Sequence, residues 1–310
     1  MRIYHHLQDL PVFNNLVLTQ GTFDGVHTGH KHVLQKVVEK ARSAGGESML
    51  LTFYPHPRLV LYPEDNSLRL LSTLEEKARL VAACGIDHLL VLPFTDEVAR
   101  LSPLDFVRSV LVEKLNVHNI VVGYDHRFGR NREGSFNDLV EMGMMFNFSV
   151  DEIPASEIDH IAISSTRIRQ ALLQGDLKLA NELLGHHYEL SGTVVHGRKL
   201  GREIGFPTAN IQPTEPFKLI PSTGVYMVRC HIGVENFNGV MNIGNNPTIP
   251  GKGFSIEAHL FDFMDNIYDI AVRFEIIQFI RAEQKFENVE ELKEKIQQDV
   301  ETAKAAFQHL

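Results

Sequence analysis

The chain contains no tryptophan, only two cysteines, no net basic charge and no long apolar run. Each lack removes a class of protein. Cys84 and Cys230 lie far apart and fit neither a metal-ligand nor a redox spacing, so a disulfide scaffold is set aside and both are expected as reduced, buried thiols. A formal net charge of −9 argues against a surface given over to nucleic acid or anionic lipid, although a local phosphate pocket stays open. The N-terminus MRIYHHLQDLPVF has no apolar stretch of the signal-peptide kind, and no segment nears bilayer-spanning length. A cytoplasmic protein without membrane contact is expected. No internal repeat or low-complexity tract is present, and the sequence leaves the oligomeric state open.

What the chain does have is 310 residues with 44% apolar and 22% charged side chains, enough for two globular domains. From Leu16 to about Leu184, short apolar runs alternate with helical periods. Strands are expected at Leu16–Leu18, Met49–Phe53, Leu89–Leu92, Ile120–Val122 and around Phe148–Val150, with helices near residues 73 to 84 and 103 to 114. This alternation predicts an α/β domain with a parallel sheet covered by helices. After residue 186 the pattern becomes short strand-like runs broken by Gly, Pro and Asn, which predicts a small antiparallel β-barrel. A terminal helix should follow, capped by Asn288 with Glu291 completing a capping box. Its expected apolar stripe is Val289, Leu292, Ile296, Val300, Ala303 and Phe307. The domains are read as 1–185 and 186–310.

The stretch TQGTFDGVHTGHKH, residues 19 to 32, joins the first such strand to a helix whose apolar face is Val33, Leu34, Val37, Val38 and Ala41. A glycine loop feeding a helix N-terminus offers free N–H groups to phosphates, and Gly21 and Gly25 permit close backbone approach. His27 and His30 lack a third metal ligand and the i, i+4 spacing of a helical zinc motif. A phosphate cradle and a plain structural loop both fit the stretch taken alone. In GRKLGREIGFPTANI, residues 197 to 211, Thr208 and Asn210 share one side of an extended segment, where a hydroxyl and an amide oxygen suit magnesium. Alone, this stretch reads first as turn chemistry.

Together these segments decide more. TQGTFDGVHTGHKH resembles the HxGH signature of nucleotidyltransferases. TFYPHP (52–57), GYDHRFG (123–129), SSTRIR (164–169), GFPTAN, NIGNNPT (242–248), IEAHLFDF (256–263) and RAEQKF (281–286) resemble segments of the bacterial bifunctional riboflavin kinase and FMN adenylyltransferase family. The resemblance implies a Rossmann-like nucleotidyltransferase domain followed by a riboflavin kinase barrel. It implies conversion of riboflavin to FMN in the barrel and of FMN to FAD, with release of pyrophosphate, in the first domain. ATP is the co-substrate of both steps and Mg2+ the cofactor. It makes His27 and His30 catalytic phosphate contacts, with Gly21, Phe23, Gly25, Ser165, Thr166 and Arg169 at the nucleotide. It makes Glu257 the general base of the kinase, Thr208 and Asn210 the magnesium and nucleotide ligands, and His56, Asp125 and Arg281 flavin-site residues. Two positions depart from the family pattern: His126, where an aromatic residue is usual, and Asp269, where glycine is usual. The competing readings are another adenylyltransferase, for nicotinate mononucleotide or phosphopantetheine, and a flavin carrier without catalysis. The first leaves GFPTAN and the barrel unexplained.

Overall fold

Strand β2 (Val17–Gln20) is buried along its whole length, because it lies inside a parallel sheet covered on both faces. The computed structural model describes residues 1–65, 67–124, 126–154, 163–197, 201, 205–245 and 253–309. It divides into two compact units: Met1–Leu68 with Leu74–Ser164, and Arg69–Thr73 with Ser165–Leu310.

The first unit is a six-stranded parallel sheet in the order β1-β4-β3-β2-β5-β6. Its strands are β1 (Arg2–Tyr4), β2, β3 (Ser48–Tyr54), β4 (His88–Pro93), β5 (Asn119–Gly123) and β6 (Ser149–Ile153). Alternate residues of each strand feed opposite apolar layers. Met49 and Leu51 join Phe106, Val110 and Leu139 on one face, whereas Leu50 joins Val33, Leu34, Val37 and Val81 on the other. Each fully buried aliphatic side chain contributes about 1.5–3 kcal/mol. The second layer is supplied by α1 (Thr28–Ser43), whose buried face is the one expected, and by α3 (Leu74–Ala83). A one-turn helix, α2 (Pro57–Leu61), and α4 (Asp96–Arg100) lie in the connections. The helix expected over 103 to 114 starts as α5 (Pro103–Phe106) and then widens into a π turn over Val107–Val112, with no Pro or Gly to mark the change. An unforeseen helix, α6 (Phe136–Phe146), precedes β6 and begins with a full Ser135–Asp138 capping box.

The second unit holds α7 (Ser165–Gln174), α8 (Leu177–Leu184) and a closed antiparallel barrel in the order β10-β11-β8-β7-β12-β9. Its strands are β7 (Tyr188–Val195), β8 (Ala209–Pro213), β9 (Gly224–Ile232), β10 (Glu235–Gly244), β11 (Ser255–Leu260) and β12 (Ala271–Arg281). Contacts divide the chain at Ser165, upstream of the change of pattern at 186, because α8 is tied to the barrel. Asn181 donates from Nδ2 to Ile276 O (3.1 Å) and accepts at Oδ1 from Tyr188 N–H (2.8 Å). The segment Arg69–Thr73 joins this unit through Leu70 N–H to Phe217 O (2.7 Å) and Leu219 N–H to Leu70 O (2.8 Å). The terminal helix α9 (Val289–Phe307) packs Ile296, Val300, Ala303 and Phe307 against Val225, Met227, Val240 and Phe261. Asn288 Oδ1 accepts from Glu291 N–H at 2.8 Å as expected, but Glu291 reaches back to Glu287 N–H (3.3 Å), and Val289 is exposed rather than part of the stripe. Both cysteines are free; Cys230 is buried, which pushes its thiol up to about 12, and Cys84 is half-buried.

Candidate functional site

The turn between β2 and α1 gathers five of the residues expected at the nucleotide. Gly21 N–H donates to Leu51 O (3.0 Å), which pins the loop to β3. Phe23 and Val26 then adopt left-handed backbone at φ 45° and 40°, with Gly25 at 83°. Non-glycine residues held there are strained, and such strain gathers at binding sites. His27 caps α1: its Nδ1 accepts from His30 N–H at 3.3 Å, so Nδ1 is unprotonated and the ring proton sits on Nε2. The two imidazoles stack with centroids 3.5 Å apart and planes 16° from parallel, and the Phe23 ring closes on His30 at 4.7 Å. Burial first, then His27 and Lys77, hold the His30 imidazole well below its ordinary range, so it is neutral; its Nδ1 is buried without a partner. Behind the stack, the largely buried Lys77 places Nζ 3.5 Å from Thr52 Oγ1, which is itself 3.5 Å from Thr22 O in the glycine loop. Neutral ring N–H groups, the first turn of α1 and a buried ammonium together form a site for anionic oxygens.

Of the residues expected here, Gly21, Phe23, Gly25, His27 and His30 are brought together. His56 caps α2, its Nδ1 accepting from Arg58 N–H at 3.2 Å. Asp125 lies outside the described residues, as do 198–200 and 202–204 of the loop before GFPTAN and 246–248 of NIGNNPT. Ser165, Thr166 and Arg169 open α7, which clusters with the second unit. Sequence reasoning missed Lys77 and Thr52. The available signal was a lysine on the same helical face as Leu74, Ala78 and Val81.

In the barrel, strand register assembles the second site. Glu257 on β11 stands opposite Asn210 on β8 and opposite Asn242 on β10. Its Oε1 accepts from Ser255 Oγ at 2.9 Å and its Oε2 from Thr208 Oγ1 at 3.4 Å. Thr208, Asn210 and Glu257 therefore share one edge, a set of oxygen donors that fits magnesium. His259 Nδ1 donates to Pro207 O (2.8 Å) and fixes the chain just before Thr208. A Cβ at Gly197 would overlap the Asn210 amide, and one at Gly244 the Glu283 carboxylate, so a side chain at either position would displace that group. Arg281 is held by Asp299 of α9, with Nε 2.9 Å from both carboxylate oxygens and Nη2 2.7 Å from Oδ2. Asp269 has φ 62°, in the left-handed region that favours glycine; its N–H donates to Val194 O (2.8 Å), while Tyr268 lies on the His196 ring at 3.9 Å. Ser255 and Asn242 were not anticipated, although Ser255 sits two residues before Glu257 on the same strand face. Among the described residues no cluster of three His, Cys, Asp or Glu would hold a metal.

An open parallel sheet with a histidine-capped phosphate loop, joined in one chain to a closed barrel bearing Thr, Asn and Glu on one edge, defines a two-unit phosphate-transfer protein. Family models agree on both units: one described as FAD synthetase matches residues 10–167, and one described as riboflavin kinase matches residues 184–307. A Pseudomonas fluorescens bifunctional riboflavin kinase/FMN adenylyltransferase is 38% identical over 306 residues, covering 98% of this chain and 96% of the relative. The Bacillus subtilis protein of the same description is 37% identical over 299 residues, covering 95% and 93%. The chain belongs to the bifunctional riboflavin kinase/FMN adenylyltransferase family. A solved Streptococcus pneumoniae structure described as a macrolide-efflux protein is 31% identical, with a TM-score of 0.84 over 96% of both chains. No helix among the described residues here is long and apolar enough to cross a membrane.

Proposed function

We infer that this chain makes FAD in two ATP-dependent steps, phosphorylating riboflavin in the barrel and adenylylating the resulting FMN in the first unit. The observation that carries the reading is Glu257 set against Thr208 and Asn210 by strand register, in the same chain as the His27–His30 phosphate loop.

In the kinase step the terminal ribityl hydroxyl attacks the γ-phosphorus of ATP. An O–P bond forms, the bond to the β-phosphate oxygen breaks, and the hydroxyl proton passes to Glu257. Ser255 Oγ donates to Oε1 and Thr208 Oγ1 to Oε2, which together orient the carboxylate. Thr208 and Asn210 would hold Mg2+, which neutralises phosphate charge when bound. Arg281 and the 281–286 loop bound the flavin end.

In the adenylyl step a phosphate oxygen of FMN attacks the α-phosphorus of ATP and pyrophosphate leaves. His27 and His30 donate N–H bonds to the phosphate oxygens where charge develops. Gly21, Phe23 and Gly25 shape the nucleotide loop; the family resemblance gives Ser165, Thr166 and Arg169 a role toward the triphosphate and His56 and Asp125 one toward the flavin. The protein works in the cytoplasm on small molecules, without nucleic acid or membrane; the net charge of −9 and two free cysteines support this.

The test is incubation with riboflavin and magnesium ATP, followed by chromatography of riboflavin, FMN and FAD over time. FMN appears first and FAD later. His30→Ala stops FAD while FMN accumulates, and Glu257→Ala stops FMN but still converts supplied FMN. Equal loss of both steps in both variants refutes the assignment.

A further inference from the structure

The strand order of the first unit reverses at β2 and β5, and in open α/β sheets ligands enter the crevice beyond the carboxyl ends of such a pair. Gln20 is the last residue of β2, and His126 follows shortly after β5 ends at Gly123. Their side chains meet at this point, with Gln20 Nε2 3.3 Å from His126 Nε2. In that pairing the ring nitrogen accepts and the amide donates. The other end of the amide has nothing: Gln20 is 8% exposed, and its Oε1 is buried without a hydrogen-bond partner. Such an atom has lost its water and gained no donor, which destabilises the ligand-free fold. The strand does not need it, since Val17, Leu18 and Thr19 are all buried and an apolar residue would end β2 at lower cost.

We propose that Gln20, braced by His126, is a specificity-determining residue for FMN adenylylation, its Oε1 accepting a hydrogen bond from an N–H on the edge of a substrate ring. This rests on the placement of that reaction in the first unit. Phosphate oxygens are excluded as the partner, because they offer no donor and an amide oxygen repels them; they belong to the His27–His30 loop. The His126 ring lies 18° from parallel to the buried Phe128 ring at 5.9 Å, which sets the plane of the imidazole beside the amide. An imidazole face held in that way suits a planar heterocycle. Two substrate groups carry the chemistry required: the imide N–H of the flavin and the exocyclic amine of adenine.

Gln20→Met removes the acceptor at nearly constant volume. In the full-length enzyme it raises KM for one of FMN or ATP by roughly three- to tenfold, the size of one lost buried hydrogen bond. It leaves riboflavin phosphorylation unchanged, and the ligand-free protein melts at a higher temperature because the orphan is gone. Two analogues identify the donor: FMN methylated at the imide nitrogen, and the triphosphate of purine riboside, which lacks the amine. The relevant analogue weakens binding to the unsubstituted enzyme and costs nothing further in Gln20→Met. Unchanged KM for both substrates overturns the proposal, as does an analogue penalty of the same size in both proteins. Should Gln20→Met fail to fold, the analogues alone decide, and no penalty from either overturns it. A His30→Ala enzyme that retains full adenylylation overturns the placement of the reaction instead, whatever Gln20 does.

Discussion

Replacing Arg281 with methionine isolates what the guanidinium does. Its Nε and Nη2 make three contacts of 2.7–2.9 Å to the Asp299 carboxylate, and Nη1 donates to Ala282 O at 3.0 Å. The side chains are 17% and 5% exposed, so little water screens the pair. Methionine keeps the stem and leaves the Asp299 charge buried and uncompensated. Breaking one side of a buried pair costs about 3–5 kcal/mol, and at 2–4 °C per kcal/mol the barrel should melt roughly 6 to 20 °C lower. Replacing both partners, Arg281→Met with Asp299→Leu, should recover most of that loss, since an apolar pair of similar volume is often neutral or better. Scanning calorimetry of the full chain reads both effects. A single variant that melts within about 2 °C of the parent, or a double variant no better than the single, refutes the argument. A variant of unchanged stability with a raised KM for riboflavin would instead assign the guanidinium to the flavin.

Gly197→Ala should cut FMN formation by roughly a hundredfold, because its methyl displaces the Asn210 amide from the edge it shares with Glu257, while FAD formation from supplied FMN is unchanged; normal phosphorylation rates in that variant would show that the amide need not sit there. The His30 imidazole is held below its ordinary 6.5, so the unfolded chain binds the proton more readily, and stability attributable to His30 is present above about pH 6.5 and is lost as pH falls. Imidazole NMR titration should show this depressed value and its rise toward 6.5 in Lys77→Met; an unmoved titration would remove Lys77 from the electrostatics of the loop.

How far the residues alone carry the structure depends on whether the decisive contact is local. The buried strands β2 to β5 were legible because both faces of a parallel strand are covered and the sequence reads as an apolar run, whereas β1, three residues at an exposed edge, has no run to read. The π turn at 107–112 carries no breaker, and α6 shows that a local signal is sometimes overlooked, since its capping box stands in the sequence as Ser135 and Asp138. The His27–His30 site is local, four residues at a helix start, so glycine and histidine spacing expose it. Lys77 and Gln20 reach the same unit's site through tertiary packing, and their only trace is polarity where apolar residues are expected. Glu257 shows the limit most directly. Within IEAHLFDF it is one of several alternating polar residues, and only the register that sets it opposite Asn210 and Asn242 separates it from a solvated face. Asp299 carries the inverse lesson: an acid between Ile296 and Val300 on the stripe of α9 demanded a buried cation, and Arg281 at the end of β12 is that cation.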